Sequence, residues 1–311
     1  MLNVSIIIIN YNSFGLLKDC LESIFNFTVD FNYEIILIDN ASTEGDVEEV
    51  TKKFENIKLI KNKKNLGFAA ANNQGIKIAK GKYILLLNND TEFQEDSISK
   101  VYDFAESTSE KLFIGCKLLN KDGSHQESVA DFPTLLNTFM ESFFLYKLFP
   151  KKKNFNKFHL NYKSTYTPTE TDVIKGAFMF CDTKSIKKLG GFDERFFFYS
   201  EEVDLCKRFK DEGGKVIYYP KTSIYHFEGS GSSNNLWFRF KNLGIAKIQY
   251  FQKHFKGIKF FLIVAIHYIG IILRIPFYLI TGLFGLNKFQ ILKSFYFFRQ
   301  LFVYPKNIFN D

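Results

Sequence analysis

The chain has 311 residues, 46% hydrophobic and 24% charged, which suffices to bury one large α/β domain or two modest ones and excludes a disordered chain. Its net charge of +8 is uneven. Residues 229–311 carry eleven Lys or Arg against one acid, Asp311, whereas the first 228 residues hold 30 basic and 32 acidic residues. Such an asymmetry points to a polyanion at one end, a membrane or a nucleic acid.

In chain order, apolar runs at Val4–Ile9, Glu34–Ile38, Ile57–Ile60, Tyr83–Leu87 and Leu112–Leu119 alternate with helical patterns at Phe14–Phe25, Val47–Phe54, Phe68–Ala79 and Asp96–Ala105. Uniformly apolar strands separated by helices predict a Rossmann-like, mostly parallel sheet covered on both faces. Ligands of such a sheet bind beyond the carboxyl ends of its strands. Polar residues cluster where that rule puts a ligand: Asn10-Tyr11-Asn12-Ser13, Asp39-Asn40-Ala41-Ser42 and Asn88-Asn89-Asp90. The competing reading is that these side chains only build turns and helix caps, with Asp39 as an N-cap and Thr91 and Gln94 as a capping box. No basic n-region or cleavage site precedes Val4, so no signal peptide is expected. No GxGxxG follows the first strand, which disfavours a dinucleotide dehydrogenase.

The middle, 126–166, is less regular, with Phe143-Phe144-Leu145-Tyr146 and a basic run at Lys151-Lys152-Lys153. Beyond it, the pattern predicts a strand at Val173–Cys181, a helix at Glu201–Glu212 closed by Gly213-Gly214, a strand at Lys215–Tyr218 and then Tyr225-His226-Phe227. Cys20, Cys116, Cys181 and Cys206 form no CxxC pair, so neither a zinc nor a redox motif is indicated and a reducing cytoplasm fits. In the tail, the uncharged run Phe260–Leu273 is interrupted by Arg274 and Pro276 before Ile275–Asn287 turns apolar again. An Arg within a span is costly. Interfacial or re-entrant helices are therefore expected, with flanking lysines facing anionic headgroups. The long aliphatic runs suit lipid better than nucleic acid, so no nucleic-acid partner is expected.

Four segments together, Val4–Ser13, Glu34–Ser42, Asn65–Asp90 and Gly176–Arg208, with His226 beyond, make the chain resemble family 2 of the glycosyltransferases, GT-A fold, and within it the bacterial rhamnosyltransferase-like members. The resemblance covers residues 1–230. It implies a GT-A domain over 1–235, with a nucleotide-sugar half at 1–120 and an acceptor half at 121–235; the composition of 236–311 adds a basic, aromatic, membrane-associating helical tail. It further implies inverting transfer of a sugar from a nucleoside diphosphate donor, such as dTDP-rhamnose or a UDP-sugar, to a lipid-linked saccharide. The place would be the cytoplasmic face of the cell membrane, in polysaccharide synthesis.

Diphosphate departure is helped by a hard cation, Mn2+ or Mg2+. Asn88 and Asp90 alternate at a strand end, so both can point one way. The family's DxD motif falls here, with Asn88 replacing its first Asp, which leaves Asp90 as the firm carboxylate ligand. The family's His at position 226 completes the metal site, and Gly229-Ser230-Gly231-Ser232-Ser233 would form a loop near the diphosphate. Asp39 would meet the base or ribose, Tyr11 can stack on the base, and Asn10, Ser42, Gly67, Asn72, Asn88 and Asn89 join the donor side. Of the acidic pair Glu201-Glu202, Glu202 stands at the family's usual base, where Asp is commoner; Asp204 is a further catalytic candidate and Asp193 an acceptor-side candidate. The same acids also suit a helix first turn, with Ser200 as N-cap. A competing class is a catalytically weak, membrane-bound carbohydrate-binding or scaffold protein on the same fold, for which Asn88 leaves room.

Overall fold

The computed structural model describes residues 2–54, 57–145, 166–227 and 236–303. The predicted loop at Gly229–Ser233 and the basic run Lys151–Lys153 lie outside them. The chain divides into two compact units, one of Met1–Ala130, Asn161–Phe197 and Glu201–Asn234, the other of Asp131–Leu160, Phe198–Ser200 and Asn235–Asp311.

The first unit is built on a mixed, largely parallel sheet. Its strands are β1 (Val4–Asn10), β2 (Tyr33–Asp39), β3 (Ile57–Lys61), β4 (Tyr83–Asn88), β5 (Thr91–Phe93), β6 (Leu112–Leu119), β11 (Phe178–Asp182) and β12 (Lys215–His226), in the order β3-β2-β1-β4-β11-β6-β12-β5. Short strands β7 (His125–Gln126) and β9 (Thr169–Glu170) pair with β6 and β12. A separate antiparallel pair is formed by β8 (Val129–Ala130) and β10 (Val173–Ile174). β1 pairs in parallel with β2 and β4, and β2 with β3; β11 runs antiparallel to β4 and β6.

Both faces of β1 are buried, which is why its sequence does not alternate. Val4, Ile6 and Ile8 join the core with Leu17, Cys20, Leu21 and Ile24 of helix Phe14–Phe27. The intervening Ile7 faces helix Phe68–Ile78, where a Cβ added to Gly75 would lie 2.6 Å from its Cγ2. Each fully buried Ile or Leu contributes about 1.5–3 kcal/mol by leaving water. All four cysteines are buried and free.

Several expected elements come out differently. Thr91 and Gln94 form no capping box: Thr91–Phe93 is a strand against Ile224–His226, and helix Ser97–Glu106 is capped by Asp96, whose Oδ1 accepts from Ser99 N. The expected strand Val173–Cys181 is two strands in different sheets: Lys175 N still bonds Ser128 O in register with β8, and a turn at Gly176-Ala177 then carries the chain into β11. Conversely, Lys215–His226 is one strand with a register shift between Tyr219 and Ser223, spanning Pro220, which has no N–H to give the ladder. Ser200 adopts φ 65°, not the extended backbone of an N-cap.

In the second unit, helix Leu135–Ser142 starts with a capping box between Thr134 and Asn137. Helices Leu236–His254, Ile258–Phe284 and Lys288–Gln300 follow. The two apolar runs expected as separate segments form the single 27-residue helix, whose most apolar 18-residue stretch has mean hydropathy 2.1, long and apolar enough to cross a membrane by length and composition. Pro276 removes one backbone bond inside it without ending it.

Two glycines test the packing with opposite signs. Gly75→Ala gains helix propensity of at most about 1 kcal/mol, but its methyl presses on Ile7, and such overpacking costs about 1–3 kcal/mol. Gly15 has nothing within 4 Å of its Cβ position. In urea titrations Gly75→Ala should lower the midpoint, and Gly15→Ala should hold or raise it.

Candidate active site

Strand register brings the first candidates together. Asn10 pairs with Asp39 across β1 and β2, and Ile9 with Asn88 across β1 and β4, so three parallel strands end on one edge of the sheet. There the side chains interlock. Asn10 Nδ2 donates to Asp39 Oδ1 (3.3 Å) and Ser42 Oγ (3.2 Å), and Asn10 Oδ1 accepts from Asn89 Nδ2 (2.9 Å). Ser42 donates to Asp39 Oδ1 (2.6 Å) and accepts from Asn12 N (3.0 Å). Asn12 and Ala41 sit at positive φ, 49° and 66°, a conformation that costs a non-glycine residue about 1–2 kcal/mol. Asp39 is 5% exposed and is not a helix cap, since the next helix is capped by Asp46. Tyr11 follows directly and is half-buried.

Gly67 and Asn72 belong to the neighbouring segment. Gly67 has φ 84°, and a Cβ there would stand 2.5 Å from Phe197 O; the glycine lets the 190s loop close on the start of helix Phe68–Ile78, where Phe68 N donates to Phe197 O. Asn72 is buried and donates to Phe68 O within its own helix (3.1 Å), so it is not part of the Asn10–Asp39–Ser42 network. Asn40 ties the two segments, accepting from Leu66 N and donating to Gly67 O.

The end of β4 holds a second cluster. His226 Nε2 lies 3.3 Å from Asp90 Oδ1 and 3.3 Å from Asn88 Nδ2. Gln126 decides what that distance means. Its amide nitrogen donates to His226 O and Asn120 Oδ1 (3.1 Å each), so its Oε1, 2.7 Å from His226 Nδ1, accepts. With Nδ1 donating to Gln126, Nε2 is an acceptor that takes the Asn88 Nδ2–H, and beside it lies an Asp90 carboxylate oxygen that is buried and has no hydrogen-bond partner. Two acceptors that close repel unless a proton or a cation lies between them, and a cation there requires Asn88 to turn its oxygen, not its NH2, toward the site. Among the described residues there is no group of three His, Cys, Asp or Glu. Asp90, His226 and the Asn88 amide thus fit a divalent cation only if the ligand supplies the remaining oxygens, and the imidazole favours manganese over magnesium. Gln126 was missed from the sequence because nothing links two residues 100 positions apart before they fold.

Glu201 and Glu202 open helix Glu201–Asp211. Gly176 places Glu202 near β4: a Cβ on Gly176 would lie 4.0 Å from Glu202 Cβ, and the next residue, Ala177, accepts from Asn88 N (3.1 Å). Burial pushes the Glu201 carboxyl well up, reinforced by the charge of Glu202, and its Oε2 has no partner. Burial also raises Glu202, opposed by the Lys175 ammonium and backbone N–H groups at the helix start. Neighbouring acids cannot both ionise cheaply, and Glu201, the more deeply buried of the two, is the one held furthest above the usual carboxylate range.

Asp204 is fully buried and accepts from Arg208 Nε (2.8 Å), whose other nitrogens donate to Leu189 O and Gly191 O. Its carboxylate positions the glycine loop through Arg208. Asp193 accepts from Arg195 N (3.1 Å) and pairs with Arg195 Nε (2.9 Å) in that loop. Asn73, also unmarked in the sequence, latches the loop by exchanging two 2.9 Å bonds with the Phe192 backbone.

A family model described as Glycosyl transferase family 2 matches residues 5–180. The N-acetylglucosaminyl-diphospho-decaprenol L-rhamnosyltransferase of Mycobacterium tuberculosis is 25% identical over 65% of this chain and 68% of its own. Rhamnosyltransferase WbbL of Escherichia coli K12 is 28% identical over 72% of this chain and 83% of its own. Among solved structures, S. aureus TarS superposes with TM-score 0.51 and 16% identity over 79% of this chain and 40% of that one. GalNAc-T7 with UDP, GalNAc and Mn2+ does so with TM-score 0.55 and 17% identity, over 78% and 47%. The fold is therefore of the GT-A kind, and the chain spans less than half the length of these two structural neighbours.

The Gln126 bond has a measurable consequence. Partners that orient a metal-binding histidine are worth about 10- to 100-fold in metal affinity. Gln126→Leu should weaken Mn2+ binding by that factor when Mn2+ is titrated with a nucleoside diphosphate and followed by electron paramagnetic resonance.

Proposed function

Since the chain belongs to glycosyl transferase family 2, we propose that this glycosyltransferase moves a sugar, with inversion and with a divalent cation, from a nucleoside diphosphate to a lipid-linked saccharide at the cytoplasmic face of the cell membrane. The observation that carries the reading is the unpartnered Asp90 Oδ1 facing His226 Nε2, beside the Asn10–Asp39–Ser42 network. Rhamnose as the sugar, from dTDP-rhamnose, is supported by two relatives named as rhamnosyltransferases, and a UDP-sugar is the other donor to test. The lipid linkage is supported by the diphospho-decaprenol in one relative's name. On this reading residues 1–120 bind the nucleotide sugar and 121–235 the acceptor.

The roles follow from chemistry at named atoms. Asp39 and Ser42 accept from or donate to the nucleoside, and Tyr11 offers a ring to its base. Asp90 and His226, with Asn88, would hold Mn2+ or Mg2+, which supplies charge neutralisation for the departing diphosphate. Glu202 takes the proton of the acceptor hydroxyl as its oxygen bonds to the anomeric carbon from the face opposite the leaving group. The carbon–oxygen bond to the diphosphate breaks, and its electron pair leaves with the diphosphate. Glu201 stays protonated and so leaves Glu202 free to be the base. Asn88 favours one second reading, a carbohydrate-binding protein of little activity, since an amide is a weaker cation ligand than the carboxylate it replaces.

A thermal-shift screen of UDP- and dTDP-sugars with Mn2+ tests the assignment. A donor at 100 times its Kd stabilises the folded chain by about 2.7 kcal/mol, and transfer is read as a mass increase of the acceptor. Donor binding without turnover would favour the second reading, and no binding of any donor would end the first. For the base, Glu202→Gln should cut kcat by about 10^2 to 10^4 while leaving donor-induced stabilisation intact. The acid limb of kcat/KM should lie above the ordinary glutamate value of 4.5, because burial raises Glu202 and a base acts deprotonated. Lys175 holds that value down, so Lys175→Met should move the limb to higher pH.

A further inference from the structure

Helix Ile258–Phe284 of the second unit is two-faced. Ile263, His267, Gly270, Ile271 and Gly282 are buried, whereas Leu262, Ile269, Ile272, Leu273, Ile280 and Leu283 recur at helical spacing on the exposed side, Ile272 at 53%. At about 1.5 Å per residue the bare stripe, from Leu262 to Leu283, is roughly 33 Å long. The covered side is charged at its middle. Arg274 Nη2 donates to Glu141 O (2.8 Å) and lies 3.9 Å from Glu141 Oε1, and its guanidinium sits 5.0 Å from the Phe144 ring centroid. Lys247 Nζ pairs with Glu141 Oε2 at 2.7 Å. A Cβ on Gly270 would stand 2.6 Å from Ser142 Oγ, so helix Leu135–Ser142 is pressed directly against this face.

We propose that this helix lies in the plane of an anionic lipid surface, stripe down, instead of crossing it. The inference rests on the membrane location proposed above and fixes its geometry. Standing upright, the helix would carry the Arg274–Glu141–Lys247 cluster to the depth of its own midpoint, where charges are most costly. Lying flat, it buries only the stripe, and the cluster stays on the water side. Charge selects the occupant. Residues 229–310 contain eleven Lys or Arg and no acid, and Lys256, Lys259 and Lys288 flank the helix. A second copy would bring like charge to like charge, whereas anionic headgroups supply the opposite sign.

The test uses the full chain and vesicles of phosphatidylcholine with or without a quarter phosphatidylglycerol, with no sugar or metal, so its outcome is separate from that of the transfer assay. Flotation should be at least tenfold stronger with phosphatidylglycerol and should weaken with salt. Environment-sensitive probes on Leu262→Cys, Ile272→Cys and Leu283→Cys should all report the same shallow depth. A mid-bilayer Ile272 probe with its companions near opposite leaflets would establish a span and overturn the proposal. So would flotation indifferent to anionic lipid, a stripe that stays in water, or one covered by a second copy in sedimentation. The exposed double variant Ile272→Asp/Ile280→Asp should lose flotation while keeping the wild-type circular dichroism spectrum.

Discussion

Parallel register is the constraint on which the rest of the catalytic unit depends. Because β2, β1 and β4 run the same way, with Asn10 level with Asp39 and Ile9 level with Asn88, residues from three separate loops reach one edge without any further device. The sheet can hold that register only because both its faces are covered: slipping a strand by one residue would exchange Ile6 and Ile8 for Ile7 against helices shaped to receive each. The apolar core is thus what aims the polar edge.

At that edge, polar groups are spent unevenly. Asp39 is oriented by Asn10 and Ser42, which bond mainly its Oδ1 and leave Oδ2 able to accept from a ligand, and Asp204 is tied to Arg208, so both have defined geometry. Asp90 Oδ1 and Glu201 Oε2 are left without partners although they are buried. An unmet buried oxygen costs about 1–3 kcal/mol or more. Asp90 Oδ1, just beyond the end of β4 and among paired Asn10, Asp39 and Ser42, marks where the chain has kept bonding capacity for something other than itself. The Gln126–His226 bond adds direction, since it leaves the imidazole's acceptor nitrogen on the side of Asp90 and Asn88.

The second unit solves a different problem, a charge within an apolar helix. Arg274 looked from the sequence like an interruption, and with Pro276 it suggested two segments. The structure instead runs one helix through both, with the guanidinium compensated by Glu141, 133 residues earlier, whose backbone carbonyl accepts from it and whose carboxylate lies 3.9 Å away.

The sequence by itself determined the alternation of strands and helices, the polar strand ends, the acidic pair and the basic, aliphatic tail, since these are local patterns of burial and turn chemistry that follow the chain's own periodicity. Only the tertiary structure decided how they act. Thr91–Phe93 is a strand and not a cap because His226, Tyr225 and Ile224 arrive to pair with it. The segment Val173–Cys181 divides because its first part pairs with Val129–Ala130 and its second part with β4. Gln126, Asn73 and Lys175 gain their roles from partners 100, 119 and 27 positions away. Propensity and pattern are properties of neighbours in the chain. Hydrogen bonds, lone-pair direction and shifted acidity are properties of neighbours in space.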